Sequence, residues 1–144
     1  MSDIRAAIAA ARQSGDINAL VRQIPYLRFL GLHVRLEDGG PICSLPADQK
    51  LVGDSRLPAL HGGVVGALLE STAIVHLIWS SEDENLPRII DLSVDYLRSA
   101  RLAPIYARGI ITRLGRRVAN VRAEAWQDDP AKPVAAAHAH FLLG

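Results

Sequence analysis

The chain holds a single cysteine, Cys43, in 144 residues. No disulfide can form within it, and a reducing cytoplasm suits that usage. Charge of one sign is also missing. Sixteen basic residues stand against 15 acidic ones, for a net charge of +1. That balance gives no general reason to expect nucleic acid or an anionic membrane as a partner, so any anion site must be local. There is no G-x-S-x-G elbow, which disfavours a serine hydrolase. There is no G-x-G-x-x-G and no phosphate-binding loop, which argues against nucleotide chemistry. Repeats, linkers and low-complexity tracts are absent, and this length can bury a core without disulfides or metal. The stretch "MSDIRAAIAAARQSGDINAL" lacks the charged start and leucine-rich run of a secretory signal. The longest apolar stretch, "LPALHGGVVGALLESTAIVHLIW" from Leu57 to Trp79, is broken by Glu70, Ser71, Thr72 and His76. It reads as the buried helix of a soluble, cytoplasmic protein rather than a membrane span.

What is present falls into a clear order. Residues 2–22 read as a helix, capped by Ser2 and Asp3 and broken near Gly15. After Pro25 comes a short turn, then a strand in which Leu32, Val34 and Leu36 alternate with His33, Arg35 and Glu37. "DGG" at 38–40 marks a hairpin turn into "PICSLPA". Residues 47–60 read as a loop, with Gly53 and Pro58 as breakers. The long helix follows, from about His61 to Ser80, and "SEDEN" closes it as a solvated turn. "RIIDLSVDYLRSA", "PIYARGIITRLG", "RRVANVRAEAWQD" and "KPVAAAHAHFLL" then read as strands, the middle two paired around Gly115. Strands that follow one another without intervening helices imply a mainly antiparallel sheet. The expected class is α+β, one domain over 1–144, with residues 1–27 as a helical extension.

Glu70 is the conspicuous residue. A lone carboxylate in apolar surroundings must be paired, hydrogen-bonded or shifted in pKa. One reading puts it on an exposed polar stripe with Ser71, Thr72 and His76. The other puts it in a wet cleft or a subunit seam, where such carboxylates serve as base or nucleophile. The second feature is "HGG" at 61–63. Two glycines at a helix start weaken it but allow close backbone approach. The free N–H groups there can hold an anion or a developing oxyanion. A tight packing contact would also require glycine. Glu70 lies eight residues past Gly62, roughly 12 Å up the same axis. It cannot reach a carbonyl held beyond the helix start. If the two act together, a second chain must supply one of them, which implies a homodimer with two sites at its seam.

These residues resemble a known family. "LPALHGGVVGALLESTA" is similar to the central-helix motif of hotdog-fold acyl-CoA thioesterases, in the phenylacetate-pathway and 4-hydroxybenzoyl-CoA thioesterase branch. That helix opens with His-Gly-Gly and carries Asp or Glu nine residues after the His, as His61 and Glu70 do here. "IIDLSVDYLRSA" and "ITRLGRRVANVRAEAWQ" resemble the family's later strands, so the likeness covers about residues 28–143. The resemblance implies a hotdog fold, an antiparallel sheet wrapped around one long central helix, here with an extra N-terminal helix. It also implies dimers with a joined sheet, often paired again into tetramers, and hydrolysis of acyl-CoA thioesters with no cofactor beyond the coenzyme A of the substrate. Gly62 or Gly63 would donate a backbone N–H to the thioester oxygen. His61 would shape that turn, and Glu70 would attack the carbonyl or activate water. Where relatives often carry Asn or Gln six or seven residues before the His, this chain has Ser55 and Asp54. Ser55 can serve there, whereas an ionised Asp54 can only accept. Ser or Thr four residues past the carboxylate becomes Ala73, leaving Ser71 or Thr72 to substitute.

"TRLGRRVANVR" gathers Arg113, Arg116, Arg117 and Arg122 near a turn. Arginine forks suit phosphate, so Arg113, Arg116 and Arg117 are candidates for holding the CoA phosphates; a solvated turn is the plainer reading. His138 and His140 share a strand face but lack further ligands for zinc. Asp91 shares a face with Ser93 and Asp95 and is kept as a support for the site. Cys43 reads as inert core. Three functions follow: hydrolysis of a small or medium acyl-CoA, aromatic ones included; a non-catalytic acyl-CoA binding module; and a hydratase, whose motif is not seen around His61.

Overall fold

The computed structural model describes residues 4–144; the expected caps Ser2 and Asp3 lie outside them. The chain begins with α1 (Ile4–Ser14) and α2 (Ile17–Val21) rather than one helix. Gly15 separates them in a left-handed conformation, φ +76°, which an L side chain adopts only with strain. The expected short turn after Pro25 is a further helix, α3 (Pro25–Leu30), stopped by Gly31 at φ 76°. Strands β1 (His33–Glu37) and β2 (Gly40–Leu45) form the hairpin marked by "DGG". The stretch expected to be a loop holds a 3₁₀ turn at 49–51 and a small hairpin, β3 (Val52–Asp54) with β4 (Ala59–Leu60). The long helix α4 runs Gly62–Ser80. After it come β5 (Arg88–Tyr96), β6 (Ile105–Leu114), β7 (Val118–Trp126) and β8 (Ala135–Leu142).

Six strands form one antiparallel sheet in the order β1-β2-β6-β7-β8-β5. Helix α4 lies across its inner face, against β2, β6, β7 and β8. The side chains beneath it explain the close seat: Ala107, Ala119, Ala123, Ala125, Ala135, Ala137 and Ala139 are all buried there. Small residues on alternate positions let the helix axis approach the sheet while Val65, Leu68, Leu69 and Val75 fill the space between. At Gly109 an added Cβ would sit 3.0 Å from the His76 Cβ. Helix α4 is long and apolar enough to cross a bilayer by composition, yet most of it is buried within the fold. This is the sheet-around-a-helix architecture that the resemblance implies.

The N-terminal helices close the far end. Ile8, Ala11 and Leu20 pack with Ile78 of α4. The Arg12 guanidinium donates through Nε and Nη2 to the Ile78 carbonyl, at 3.1 and 3.0 Å. That carbonyl is among the last four of the helix, which lack intrahelical donors and sit at the negative end of the dipole. The described part of this N-terminal stretch therefore contributes Ile8, Ala11 and Leu20 to the core.

Candidate active site

His61 caps α4, and its imidazole decides which helix N–H is available. Its Nδ1 accepts from the Gly63 N–H at 2.9 Å, and its carbonyl accepts from Val64 and Val65 at 2.9 and 3.2 Å. Of the first four N–H groups of the helix, Gly62 alone has no acceptor among the described residues. An imidazole that accepts at Nδ1 carries its proton on Nε2, so a second donor stands at the same exposed tip. The two glycines have different causes. At Gly63 a Cβ would meet His61 Nδ1 at 2.9 Å, so the cap itself requires glycine. At Gly53, in β3, a Cβ would meet the His61 Cα at 2.9 Å; the small hairpin presses on the capping residue from the other side. At Gly62 a Cβ would find only ordinary contacts, the nearest at 3.6 Å to Tyr96. Nothing in the described chain requires glycine there.

Glu70 is half-buried, between Ala67 and Ile74 on the one stripe of α4 that the sheet leaves partly open. It has no ion pair or hydrogen bond among the described residues. The polar stripe considered from sequence does not exist. Ser71, Thr72 and His76 are buried at 6, 0 and 8% exposure. The Thr72 hydroxyl donates to the Leu68 carbonyl at 2.6 Å. Thr72 therefore faces the core beside Cys43, and its expected support of Glu70 is corrected. Burial pushes the Cys43 thiol up to about 12, with the Thr72 hydroxyl opposing, which leaves it inert.

Asp54 ends β3, near the helix tip, but is spent locally. Its Oδ1 accepts from the Arg56 N–H at 2.9 Å and from Arg56 Nε at 3.3 Å. The Arg56 side chain, then its backbone N–H, holds the carboxyl below its ordinary value. Ser55 is exposed in the turn of the same hairpin. Asp91 is a second correction. Leu92 and Val94 face the helix and pack on the core. Asp91 points to the outer face of the sheet, where it accepts from His140 Nδ1 at 2.6 Å. The sheet stands between Asp91 and Glu70. His138 is exposed on that outer face, opposite Ser93, and no cluster of three metal-binding side chains occurs among the described residues.

Two pockets mark opposite ends of the helix. One, of about 430 Å³, lies at the α4 tip and is lined by Gly62, Val65, Tyr96, Arg98 and Val134 among others. The other, of about 490 Å³, is lined by Arg113, Arg116, Arg117 and Asn120 at the β6–β7 turn. None of the three arginines pairs with a carboxylate among the described residues. Strand β8 measures the distance between these ends. Val134, just before it, lines the first pocket, and Leu143, just after it, donates to the Arg117 carbonyl. Eight strand residues span roughly 26 Å. In one chain, the open N–H and the arginines lie at opposite ends of this strand.

Sequence reasoning missed Tyr96. Its hydroxyl donates to the Gly62 carbonyl at 2.7 Å. The alternation that sends Leu92 and Val94 inward sends Tyr96 inward as well, and that is the signal that could have found it.

The chain has recognisable relatives. A family model, Thioesterase superfamily, matches residues 57–134. The medium/long-chain acyl-CoA thioesterase YigI of Salmonella typhimurium is 31% identical over the full length of both chains. A solved Chromobacterium violaceum structure is 41% identical, with a TM-score of 0.78 over 95% of this chain and 96% of that one. A phenylacetic acid degradation-related protein from Ralstonia eutropha is 25% identical, with a TM-score of 0.75 over 88% and 98%. The chain belongs to the thioesterase superfamily.

Proposed function

We propose that the protein hydrolyses acyl-CoA thioesters, and that each site is shared by two copies of the chain. The Salmonella relative is a medium/long-chain acyl-CoA thioesterase, which favours the medium end of the small or medium range expected from sequence, and longer chains beyond it. The single observation that carries the proposal is the split arrangement on α4. An open N–H and a histidine donor stand at its start, and an unpaired carboxylate stands half-buried eight residues along it.

In this reading the thioester oxygen sits beyond the tip and accepts from the Gly62 N–H. His61 holds the turn through Gly63 and presents Nε2–H beside it. Fixed donors at the position of the developing oxyanion contribute the most to such reactions. Glu70 of a second copy faces the carbonyl carbon. It either takes a proton from water, whose oxygen then bonds to that carbon, or attacks the carbon itself to give an anhydride that water opens. In both routes the C–S bond breaks and the CoA sulfur leaves as thiolate. Ser55 stands in the hairpin beside the tip and is the candidate to orient water; Asp54, bound to Arg56, is the weaker one. Arg113, Arg116 and Arg117 supply unpaired cations for the CoA phosphates. The working unit is a homodimer, with a dimer of dimers as the larger assembly, in the reducing cytoplasm that one unpaired cysteine suits.

The test is release of free thiol from a series of medium and long acyl-CoAs. Glu70→Gln keeps the shape and removes the base, so kcat falls by about 100- to 10,000-fold. Tight acyl-CoA binding by the wild type with no turnover would favour the non-catalytic binding module instead.

A further inference from the structure

We infer that Tyr96 is a positioning residue for the oxyanion donor. This rests on the thioesterase reading above and goes one step deeper. The Gly62–Gly63 peptide is held at both of its polar ends. Its carbonyl accepts from the Tyr96 hydroxyl at 2.7 Å, and its N–H donates to His61 Nδ1 at 2.9 Å. A peptide is planar, so two such bonds on opposite sides fix its orientation. The Cα of Gly62 joins that plane to the preceding one, which carries the open Gly62 N–H. Clamping the first plane therefore limits how the second can swing.

The clamp is needed because glycine is the residue least able to hold a direction by itself. Gly62 and Gly63 follow one another at the exposed helix end, where a helix frays first. Gly62 also forgoes its Cβ, which would meet nothing closer than 3.6 Å. The ring of Tyr96 packs beside Gly62 and its hydroxyl beside Gly66, so the phenol reaches the carbonyl along the helix flank. Strand β5 ends at Tyr96. The clamp thus ties the direction of the donor to the last residue of the sheet's edge strand.

Tyr96→Phe keeps the ring and removes one hydroxyl. The expected result is a kcat lower by roughly tenfold and a KM within about twofold. Gly62→Pro supplies the second arm, because proline carries no N–H to position. If Tyr96 acts through that donor, Tyr96→Phe costs nothing further in the Gly62→Pro background. Equal loss in both backgrounds, or a wild-type kcat for Tyr96→Phe alone, overturns the proposal. A third readout needs no activity. Exchange of the Gly63 amide proton, followed by NMR, quickens in Tyr96→Phe if the peptide is clamped and stays unchanged if it is not. A wild type that releases no thiol would sink the hydrolase reading, while amide exchange would still decide the clamp.

Discussion

At the residue scale, His76 shows how much of the core is built around one side chain. Its ring fills a niche where a Cβ at Gly40 would come within 2.9 Å of it and a Cβ at Gly109 within 3.0 Å of its own Cβ. The Trp79 ring lies 6.0 Å away. The His76 Nδ1 is buried with no hydrogen-bond partner among the described residues, so protonation there would bury an unpaired charge. Burial accordingly lowers its pKa. The sign of the consequence follows. The unfolded chain takes up a proton at the ordinary imidazole value of about 6.5, and the folded chain does so only at lower pH. This stability is whole above that value and is lost as pH falls from it toward the lowered folded value. Asp54 and Asp128, whose pKa values are lowered by Arg56 and Arg101, act only further down, below the ordinary carboxylate range. Melting temperature followed from about pH 7.5 to about pH 5 should therefore drop in the wild type. His76→Leu removes the titrating group, and its slope should be visibly shallower. An identical slope would assign the acid loss elsewhere. None of this was legible in the sequence, where His76 looked like part of a polar stripe with Glu70. Helical spacing places 70 and 74 on one face and 72 and 76 on another, but nothing in the sequence alone says which face the sheet covers.

At the element scale, the long helix and the strands were readable because their apolar periods are strong. The short elements were not. Gly15 was visible as a breaker, yet the six-residue α3 that follows Pro25 is too short to show a period. The β3–β4 hairpin is made of two and three residues and is defined by its contact with His61, a long-range fact. The β6–β7 turn was legible as a basic cluster, and the structure adds that its arginines line one pocket. If they hold CoA phosphates, Arg116→Ala with Arg117→Ala removes charge-assisted bonds made equally in ground and transition states. KM for an acyl-CoA should rise by about tenfold or more, with kcat little changed. An acyl-pantetheine substrate, which lacks the nucleotide, should show no change in KM. A similar rise with both substrates would mean the turn acts on the fold and not on phosphate.

At the scale of the whole molecule, the two edges of the sheet differ. Edge strand β1 is blocked: the Asn18 side chain pairs with both the N–H and the carbonyl of Val34, each at 2.8 Å. Edge strand β5 has no such cover among the described residues and presents Ile89 and Ile90 at 40 and 55% exposure. An open edge of nine residues with exposed apolar side chains is a place where a second chain can pair. Antiparallel pairing of β5 with its copy about a two-fold axis reverses one α4 against the other. In such a pair each Gly62 tip would come toward the partner's Glu70 and the partner's arginine turn, the latter roughly 26 Å from the tip within one chain. Mixed dimers test this directly. Glu70→Gln lacks the carboxylate. Gly62→Pro lacks the donor, at the first helical position where proline is well tolerated and after a residue already extended at ψ 132°. Each alone should be nearly inactive, the second by about 100- to 1,000-fold. When the two are co-expressed in equal amounts, half of the dimers are mixed. If a site takes its tip from one chain and its carboxylate from the other, each mixed dimer has one doubly defective site and one intact site. Activity should then return to about a quarter of the wild-type level. If each site is built within one chain, both sites of every mixed dimer are defective and co-expression restores nothing.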